Sequence, residues 1–261
     1  MSREQNLPDR IADELIARIF TGDYAPGDRL PAERTLCEQL GVDRTSLRMA
    51  LRQLSRMNLI EARRGSGITV LDYRTHAGID FLAAVLDVPG LHLGGRFLLE
   101  ALSHWERAVP SFSIAALQRA TPAQRDALRA SYDAQLAALD AGEDLAHVAA
   151  IVVDMQDRII EWLSDVTLRL LANSTRALRA ELTRIHLSLN DAREQIEHER
   201  ALFEMAFAVQ APIDQLRAAH AAYLEQQHVA LRAHLSRLPP QPHRTTRWEP
   251  PNKSIPRTRK S

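Results

Sequence analysis

The sequence predicts a mainly α-helical protein with one small β-hairpin near its amino end. Residues 30–71 contain two short helical patterns joined by a glycine, and then two short apolar runs around a Gly-Ser-Gly turn. From about Tyr73 onward only helical periodicity remains, broken by short turns. These observations predict an N-terminal winged helix-turn-helix followed by a C-terminal all-α helical bundle.

The first predicted helix covers residues 8–20, and the second begins near Pro31. In the first helix the apolar residues at helical spacing are Ile11, Leu15, Ile16 and Ile19. The stretch from Tyr24 to Asp28 then predicts a turn. Pro31 suits the first position of a helix, and the acidic Glu33 is favourable at the same end.

Gly41 and Asp43 mark the junction between the second and third helices. Leu36 and Leu40 share one face of the second helix, and Gly41 ends it with the left-handed conformation that a tight turn requires. Asp43 caps the third helix. Its inner face carries Leu47, Leu51 and Leu54, and its other face carries Arg44, Arg48, Arg52 and Arg56. Asn58 ends this helix.

A β-hairpin with a basic tip follows the third helix. Ile60 and the pair Ile68 and Val70 are apolar and bracket residues 63–67, Arg-Arg-Gly-Ser-Gly. From Asp43 to Arg64 there are six arginines against two acidic residues, although the whole chain has 33 basic and 33 acidic residues. A local basic element in a neutral chain fits sequence-specific DNA binding better than non-specific coating.

The chemistry of this element indicates duplex DNA. An α-helix fits the major groove, where arginine contacts guanine O6 and N7, and the first residues of the second helix read the bases. Here those residues are Arg44, Thr45, Ser46 and Arg48. Arg63 and Arg64 at the wing tip can reach phosphate or the minor groove. The alternative is a solvated basic helix with a mobile hairpin, which the register of Pro31, Gly41 and the hairpin argues against.

Residues 26–67 resemble the winged helix of the GntR family of bacterial transcription regulators, and the resemblance covers about the first 72 residues. It implies contacts to phosphates and bases from Arg34, Arg44, Thr45, Ser46, Arg48, Arg64 and Gly65. Asp43 stands where many members have Ser or Thr, and all three residue types cap a helix.

Four segments are predicted along the chain. Residues 1–72 form the DNA-binding domain, residues 73–78 a linker, and residues 79–238 an all-helical effector-binding and dimerisation domain. About seven or eight helices are expected between residues 74 and 238, with turns at Pro89-Gly90, Pro110, Thr121-Pro122, Gly142 and Pro212. Residues 239–261, with six prolines and six basic residues against one Glu, predict a disordered basic tail.

Composition indicates the class of protein, its expected compartment and whether membrane association is expected. The 261 residues are 45% hydrophobic and 25% charged, which is typical of a globular protein. Cys37 is the only cysteine, so no disulfide forms within the chain, and a reducing cytoplasm is expected. No signal peptide is recognised, and the apolar runs are too short to span a bilayer, so no membrane association is expected.

The second domain resembles the FadR-like branch of the GntR family, in which a C-terminal bundle binds a small effector and dimerises. Residues 75–85 resemble the junction in that branch. The resemblance implies a homodimer on a short palindromic operator in double-stranded DNA. An effector with different affinity for the DNA-competent and incompetent states would alter operator affinity.

Many members of that branch hold a divalent metal in the bundle. His198 and His220 match the last two family ligands, which are 22 residues apart, and Asp157 falls where the family has a histidine. Asp157, His198 and His220 could hold Zn²⁺ or a similar ion as a three-ligand set. Because one family ligand is lost and another is replaced, the preferred interpretation is a metal-free effector pocket lined by these residues, for an organic acid or an acyl thioester. Leu102 replaces a family arginine that often meets the effector, which argues against a simple carboxylate.

The sequence contains no catalytic motif, so an enzyme is not expected. His198-Glu199 lacks the second histidine of a zinc protease, because Leu202 stands there. Three alternatives remain open. They are a non-sensing architectural DNA-binding protein, a metal-dependent enzyme with an accessory DNA-binding domain, and a regulator whose bundle docks another protein.

Overall fold

The computed structural model describes residues 6–63, 65–208 and 211–251. Within these ranges the helices are α1 Leu7–Thr21, α2 Glu33–Leu40, α3 Arg44–Arg56, α4 Tyr73–His76, α5 Ile79–Asp87, α6 Gly95–Gln118, α7 Pro122–Asp140, α8 Leu145–Glu161, α9 Val166–Ser174, α10 Arg176–Ser188, α11 Ala192–Ala208, α12 Ile213–Gln227 and α13 Val229–Arg237. The strands are β1 Ile60–Arg63, β2 Gly67–Val70, β3 Leu91–His92 and β4 His243–Arg244. None of these helices is both long enough and apolar enough to cross a membrane.

The described chain packs into two compact units. One contains residues 6–92 and 242–251, and the other contains residues 93–241. The first unit therefore holds α1 to α5 and all four strands, whereas the second holds α6 to α13. The polypeptide passes between the units twice, after His92 and after Gln241.

The helix-turn-helix of the first unit forms as the sequence predicts. Gly41 adopts φ +67°, and the Asp43 carboxylate accepts a hydrogen bond from the Ser46 amide at 2.9 Å, which caps α3. α2 begins at Glu33, so Pro31 precedes the helix and does not occupy its first position. The inner faces of α1 to α3 are fully buried at Ile11, Leu15, Leu36, Leu40, Leu47 and Leu54, and this burial is the main stabilising term of the unit.

The wing is the predicted antiparallel hairpin. β1 pairs with β2 from Ile60 opposite Val70 to Arg63 opposite Gly67. Arg29, which precedes α2, bridges to the outer side of β2 and donates a hydrogen bond to the Ser66 hydroxyl at 3.0 Å. The hairpin tip is therefore held by the chain before the second helix.

The second unit is the predicted helical bundle, but two details differ from the prediction. Pro110 lies buried inside α6 instead of forming a turn, because packing of a long helix outweighs the backbone hydrogen bond that proline cannot donate. The described chain from Tyr73 to Arg237 also holds ten helices instead of seven or eight. Two of the extra boundaries fall at Thr175 and His228, where neither glycine nor proline marks a break.

The segment predicted to be a disordered tail is described as far as residue 251 and is ordered there. β4 pairs with β3, with Leu91 opposite Arg244 and His92 opposite His243. Two-residue strands show no alternation in sequence, so periodicity does not detect them. The rest of the predicted tail, residues 252–261, lies outside the described residues.

Candidate nucleic-acid interface

The first two turns of α3 present a polar face to solvent. The side chains of Arg44 and Arg48 are 69% and 54% exposed, and Thr45 is exposed between them. On the opposite side Leu47 is fully buried and anchors the helix to the core. The helix is thus held by its apolar face while its basic face remains free to enter a groove.

Glu33 holds both arginines in position. One carboxylate oxygen, Oε2, accepts from Arg44 Nε at 3.1 Å and from Arg48 Nε at 2.9 Å. Burial alone would raise the pKa of Glu33, but the hydrogen bonds from Arg44 and Arg48 outweigh it and hold this pKa below its usual value. Because both contacts use Nε, the terminal nitrogens of each guanidinium stay available for a bidentate contact.

The hydroxyl residues next to these arginines differ in their surroundings. Ser46 donates its hydroxyl to Asp43 Oδ2 at 2.7 Å, and its amide donates to Oδ1, so its side chain takes part in the helix cap. These hydrogen bonds lower the pKa of Asp43. Thr45 carries the more exposed hydroxyl of the pair.

The remaining predicted contacts lie on α2 and in the wing. The Arg34 side chain on the first turn of α2 is 87% exposed and lies 3.7 Å from Glu38. Gly65 adopts φ +78°, a conformation that suits glycine at the exposed hairpin tip. Arg63 forms an ion pair with Glu61 at 3.0 Å. Arg64 lies outside the described residues.

Two residues of this surface are missed by sequence reasoning. The sequence assigns Glu33 only to a helix end, since its arginine partners are 11 and 15 residues away. Met49 is 48% exposed on α3, one residue after Arg48 and four after Thr45. The helical periodicity of residues 44–56 already places Met49 on the outward face of α3. An apolar residue at such a position is a sequence signal for a contact surface.

In the second unit, Asp157 forms ion pairs with two arginines. Its two carboxylate oxygens accept hydrogen bonds from the guanidinium groups of Arg176 and Arg179. Among the described residues no group of three or more His, Cys, Asp or Glu side chains is arranged to hold a metal ion. Asp157, His198 and His220 therefore do not fit the divalent metal that the family resemblance implies, since the carboxylate already binds two cations.

Arg179 is the buried partner in this cluster, with 4% of its side chain exposed. It donates to Gln156 Oε1 at 2.9 Å and to the Ala172 carbonyl at 3.0 Å, and its guanidinium lies 5.4 Å from the centre of the Trp105 ring. Burial lowers the pKa of Arg179, and the contact with Asp157 opposes this effect. The ion pair therefore joins α8 to α10 within the bundle.

The two predicted histidine ligands are grouped around Tyr223 instead. The His198 ring stacks on Tyr223 with centroids 5.6 Å apart, and His220 lies 6.5 Å from the same ring. His220 Nδ1 is 3.1 Å from the buried Ser113 hydroxyl on α6. Burial lowers the pKa of His220 to about 4, so this imidazole is neutral at pH 7.

A second polar group lies nearer the start of α6, around Glu106. Glu106 accepts from His228 Nδ1 and from Arg232, both at 2.8 Å, and the rings of His228 and His186 meet edge to face with centroids 5.0 Å apart. Gln195 Nε2 lies 3.0 Å from His186 Nε2. In the described residues, buried polar atoms with no hydrogen-bond partner include Tyr132 Oη, Gln135 Oε1, His186 Nδ1, Gln195 Oε1 and Arg232 Nε.

Comparison with known proteins agrees with this geometry. Residues 7–70, which run from α1 to β2, match the family described as "Bacterial regulatory proteins, gntR family". The chain is 33% identical over 173 residues to the HTH-type transcriptional regulator Mce2R of Mycobacterium tuberculosis (strain CDC 1551 / Oshkosh). That alignment covers 66% of this chain and 70% of the relative.

Two further comparisons extend past the wing. The chain is 31% identical over 141 residues to the putative L-lactate dehydrogenase operon regulatory protein of Escherichia coli (strain K12), covering 51% of each protein. A solved structure described by the words "Lar controls the expression of the Listeria monocytogenes agr system and mediates virulence" aligns with a TM-score of 0.52. It covers 89% of this chain and 99% of that chain at 14% identity, so it supports the fold alone.

Proposed function

The chain belongs to the GntR family of bacterial transcription regulators, which are not enzymes, and we propose that it binds a short palindromic operator as a homodimer under control of a small effector. The observation that carries the DNA-binding part is the exposed start of α3, where Arg44 and Arg48 are held by one carboxylate. In a helix-turn-helix these positions meet base edges in the major groove. Two such helices related by a two-fold axis require an inverted repeat.

The proposed contacts divide into two kinds. Arg44 and Arg48 read guanine, and Thr45 and Met49 contact neighbouring bases. Arg34, Ser46 and Gly65, together with Arg64 from the sequence prediction, position the protein on phosphates. Glu33 is a positioning residue that fixes the two reading guanidinium groups before DNA arrives.

Selection of binding sites from randomised duplex DNA tests this proposal. The full-length protein should enrich a short inverted repeat that contains guanine in each half-site, with a steep dependence of affinity on salt. Enrichment of a single unrepeated site, or of no sequence at all, would contradict the proposed palindromic readout.

The effector part of the proposal is supported by the polar interior of the second unit. Glu106 and Ser113 lie seven residues apart on α6, and their partners His228 and His220 belong to the α12–α13 region. Buried polar atoms are normally hydrogen-bonded, so the unpartnered atoms of His186, Gln195 and Arg232 favour a polar ligand in this region. We propose a metal-free site for a polar organic molecule, such as an organic acid or an acyl thioester.

Mass spectrometry under non-denaturing conditions tests dimerisation and ligand binding together. The protein as purified should show the mass of two chains, with a bound organic molecule that denaturation releases. A purely monomeric protein at micromolar concentration would contradict the dimer. Operator binding that stays unchanged when the released molecule is added back would contradict effector control and favour a non-sensing DNA-binding protein.

Glu33→Gln is expected to lower sequence specificity and to raise non-specific affinity for DNA. Without the carboxylate, Arg44 and Arg48 are free to bind phosphates, so affinity for random-sequence duplex should rise and discrimination for the operator should fall. The slope of log K against log salt should steepen by about 0.9 for each additional phosphate that these arginines neutralise. Titrations at several salt concentrations measure both effects.

Glu38→Gln is the matched control for this substitution. It removes one negative charge from the same helix, but its ion pair is with Arg34 and not with Arg44 or Arg48. If both variants change specificity equally, Glu33 acts through overall charge only and is not a positioning residue.

Met49 is expected to read a thymine methyl group. Replacing the contacted thymine by deoxyuridine removes one methyl group, which should cost about 0.8 kcal/mol, or about fourfold in affinity. Met49→Ala should lose this sensitivity, whereas Met205→Ala, a change at another exposed methionine, should retain it. A wild-type protein that is indifferent to deoxyuridine at every operator thymine would exclude this role.

A further inference from the structure

Residues 242–251 form an ordered segment that returns to the DNA-binding unit, and we name it the C-terminal strap. Besides the β3–β4 pairing, Thr245 donates its amide to the Gly90 carbonyl at 3.0 Å. The Thr246 hydroxyl donates to the Pro89 carbonyl at 3.0 Å. A side chain at Gly90 would come within 2.5 Å of Thr246, so the two segments are in close contact.

The strap also supplies a charge partner inside the winged helix. Glu14 on α1 is only 3% exposed and accepts from Arg18 Nε at 2.7 Å. Its other carboxylate oxygen accepts from Arg244 of the strap. A buried carboxylate is stable only when it is paired, so Arg244 of the strap and Arg18 together compensate the charge of Glu14.

Further along, the strap reaches the turn of the helix-turn-helix. The Trp248 indole donates a hydrogen bond to the Leu40 carbonyl at 2.9 Å. This carbonyl belongs to the last turn of α2, where such groups lack a partner within the helix. Arg10 lies 5.5 Å from the Trp248 ring centre, and Pro250 lies 3.0 Å from the position of a Cβ on Gly41.

The residues just before the strap, 239–241, are held within the second unit. The Pro239 carbonyl accepts from the Gly95 amide at 2.8 Å. A Cβ on Gly94 would lie 2.7 Å from the Gln241 carbonyl carbon, so Gln241 packs directly on a glycine at the start of α6. Only Pro242, whose φ is fixed by its ring, separates this anchor from His243 in β4.

From these contacts we propose that the strap couples the second unit to the reading helices. A displacement of Gln241 passes through Pro242 to β4, and along the strap to Trp248 and the Leu40–Gly41 turn that orients α3. The strap acts by holding the turn and not by covering the DNA surface, because Arg34 and Arg44 stay 87% and 69% exposed with the strap in place. The regulatory consequence rests on the function proposed above, whereas the docking does not.

Hydrogen exchange measured by mass spectrometry on the full-length protein tests the strap directly. Trp248→Ala should speed exchange in peptides covering residues 38–43 by about threefold to tenfold, as loss of one hydrogen bond implies. Trp248→Phe keeps a ring but lacks the donor, so it should show most of this rise. Peptides from α7 and α8 should be unaffected. Exchange at Thr245 as fast as in a free peptide in the wild-type protein would overturn the docking.

Gly94→Ala tests the coupling from the opposite end. It should displace Gln241 and raise exchange at residues 38–43 and at Thr245, although Gly94 belongs to the second unit. Gly142→Ala is the matched control, because Gly142 also has a positive φ, +72°, but a Cβ there meets no atom within 4 Å. Equal changes at residues 38–43 in both variants would overturn the coupling.

A DNA titration separates the strap from the proposed function. Trp248→Ala should weaken binding to the selected operator by about threefold to tenfold. If the wild-type protein selects no operator, the proposed function fails. The hydrogen-exchange data still test whether the strap docks on the DNA-binding unit. If the wild type binds and Trp248→Ala binds equally well, the coupling to DNA reading is wrong.

Discussion

Replacing Arg48 or Arg44 with alanine is expected to weaken operator binding by about 1–3 kcal/mol each and to relax the preference for guanine. Each guanidinium is exposed at the start of α3 and keeps its terminal nitrogens free, because Glu33 binds it through Nε. The two losses should not add, since both side chains share one carboxylate oxygen and removal of one changes the other. Titration at one fixed salt concentration measures the effect.

Arg48→Lys and Arg56→Ala separate base reading from simple charge. Lysine keeps the charge but cannot make the bidentate contact, so Arg48→Lys should lose discrimination between guanine and 7-deazaguanine while retaining affinity for random duplex. Arg56 carries the same charge in the last turn of α3, away from the end that enters the groove, and its removal should change affinity little. An Arg48→Ala variant as tight and selective as the wild type would make the assignment of that residue wrong.

The helix-turn-helix could be predicted because its signals are local. Gly41 adopts the left-handed conformation, Asp43 caps α3, and the apolar spacing of the following leucines gives the buried face. Each of these features acts over four residues or fewer, so one sequence contains them completely. The hairpin register between Ile60 and Val70 follows in the same way from a glycine-rich turn.

The strap could not be predicted because its partners are distant in the sequence. Trp248 pairs with Leu40, 208 residues away, and Arg244 pairs with Glu14, 230 residues away. Prolines and excess charge predict disorder when local composition is all that is available. Here one buried carboxylate and one carbonyl at a helix end order the segment, and neither group is recognisable as a partner from composition.

The metal interpretation of Asp157 has the same weakness. It places this carboxylate with His198 and His220 from family spacing, whereas the fold places Arg176 and Arg179 against both carboxylate oxygens. Nothing in the local pattern of α8 indicates those partners, which lie on α10, 19 and 22 residues further along the chain. An arginine with 4% exposure must have a counterion, so the electrostatics of α10 determine the role of Asp157.

Asp157→Ala is expected to destabilise the protein by about 3–5 kcal/mol, because it leaves the buried charge of Arg179 without this partner. Denaturant unfolding followed by circular dichroism measures this loss. Asp154→Ala is the control on the same helix. Asp154 is 54% exposed and pairs with the half-exposed Arg176, so its removal should cost less than about 1 kcal/mol.

A second substitution and added zinc distinguish the ion pair from a metal site. Adding Arg179→Met to Asp157→Ala removes the uncompensated charge and should recover most of the lost stability. A metal ligand would behave differently, since removing Arg179 would not compensate for a lost metal bond, and Zn²⁺ would raise the stability of the wild type but not of Asp157→Ala. If Zn²⁺ stabilises the wild type and the double variant recovers no stability, Asp157 is a metal ligand and the ion-pair role is wrong. Recovery without a zinc effect would establish it as the counterion of a buried arginine.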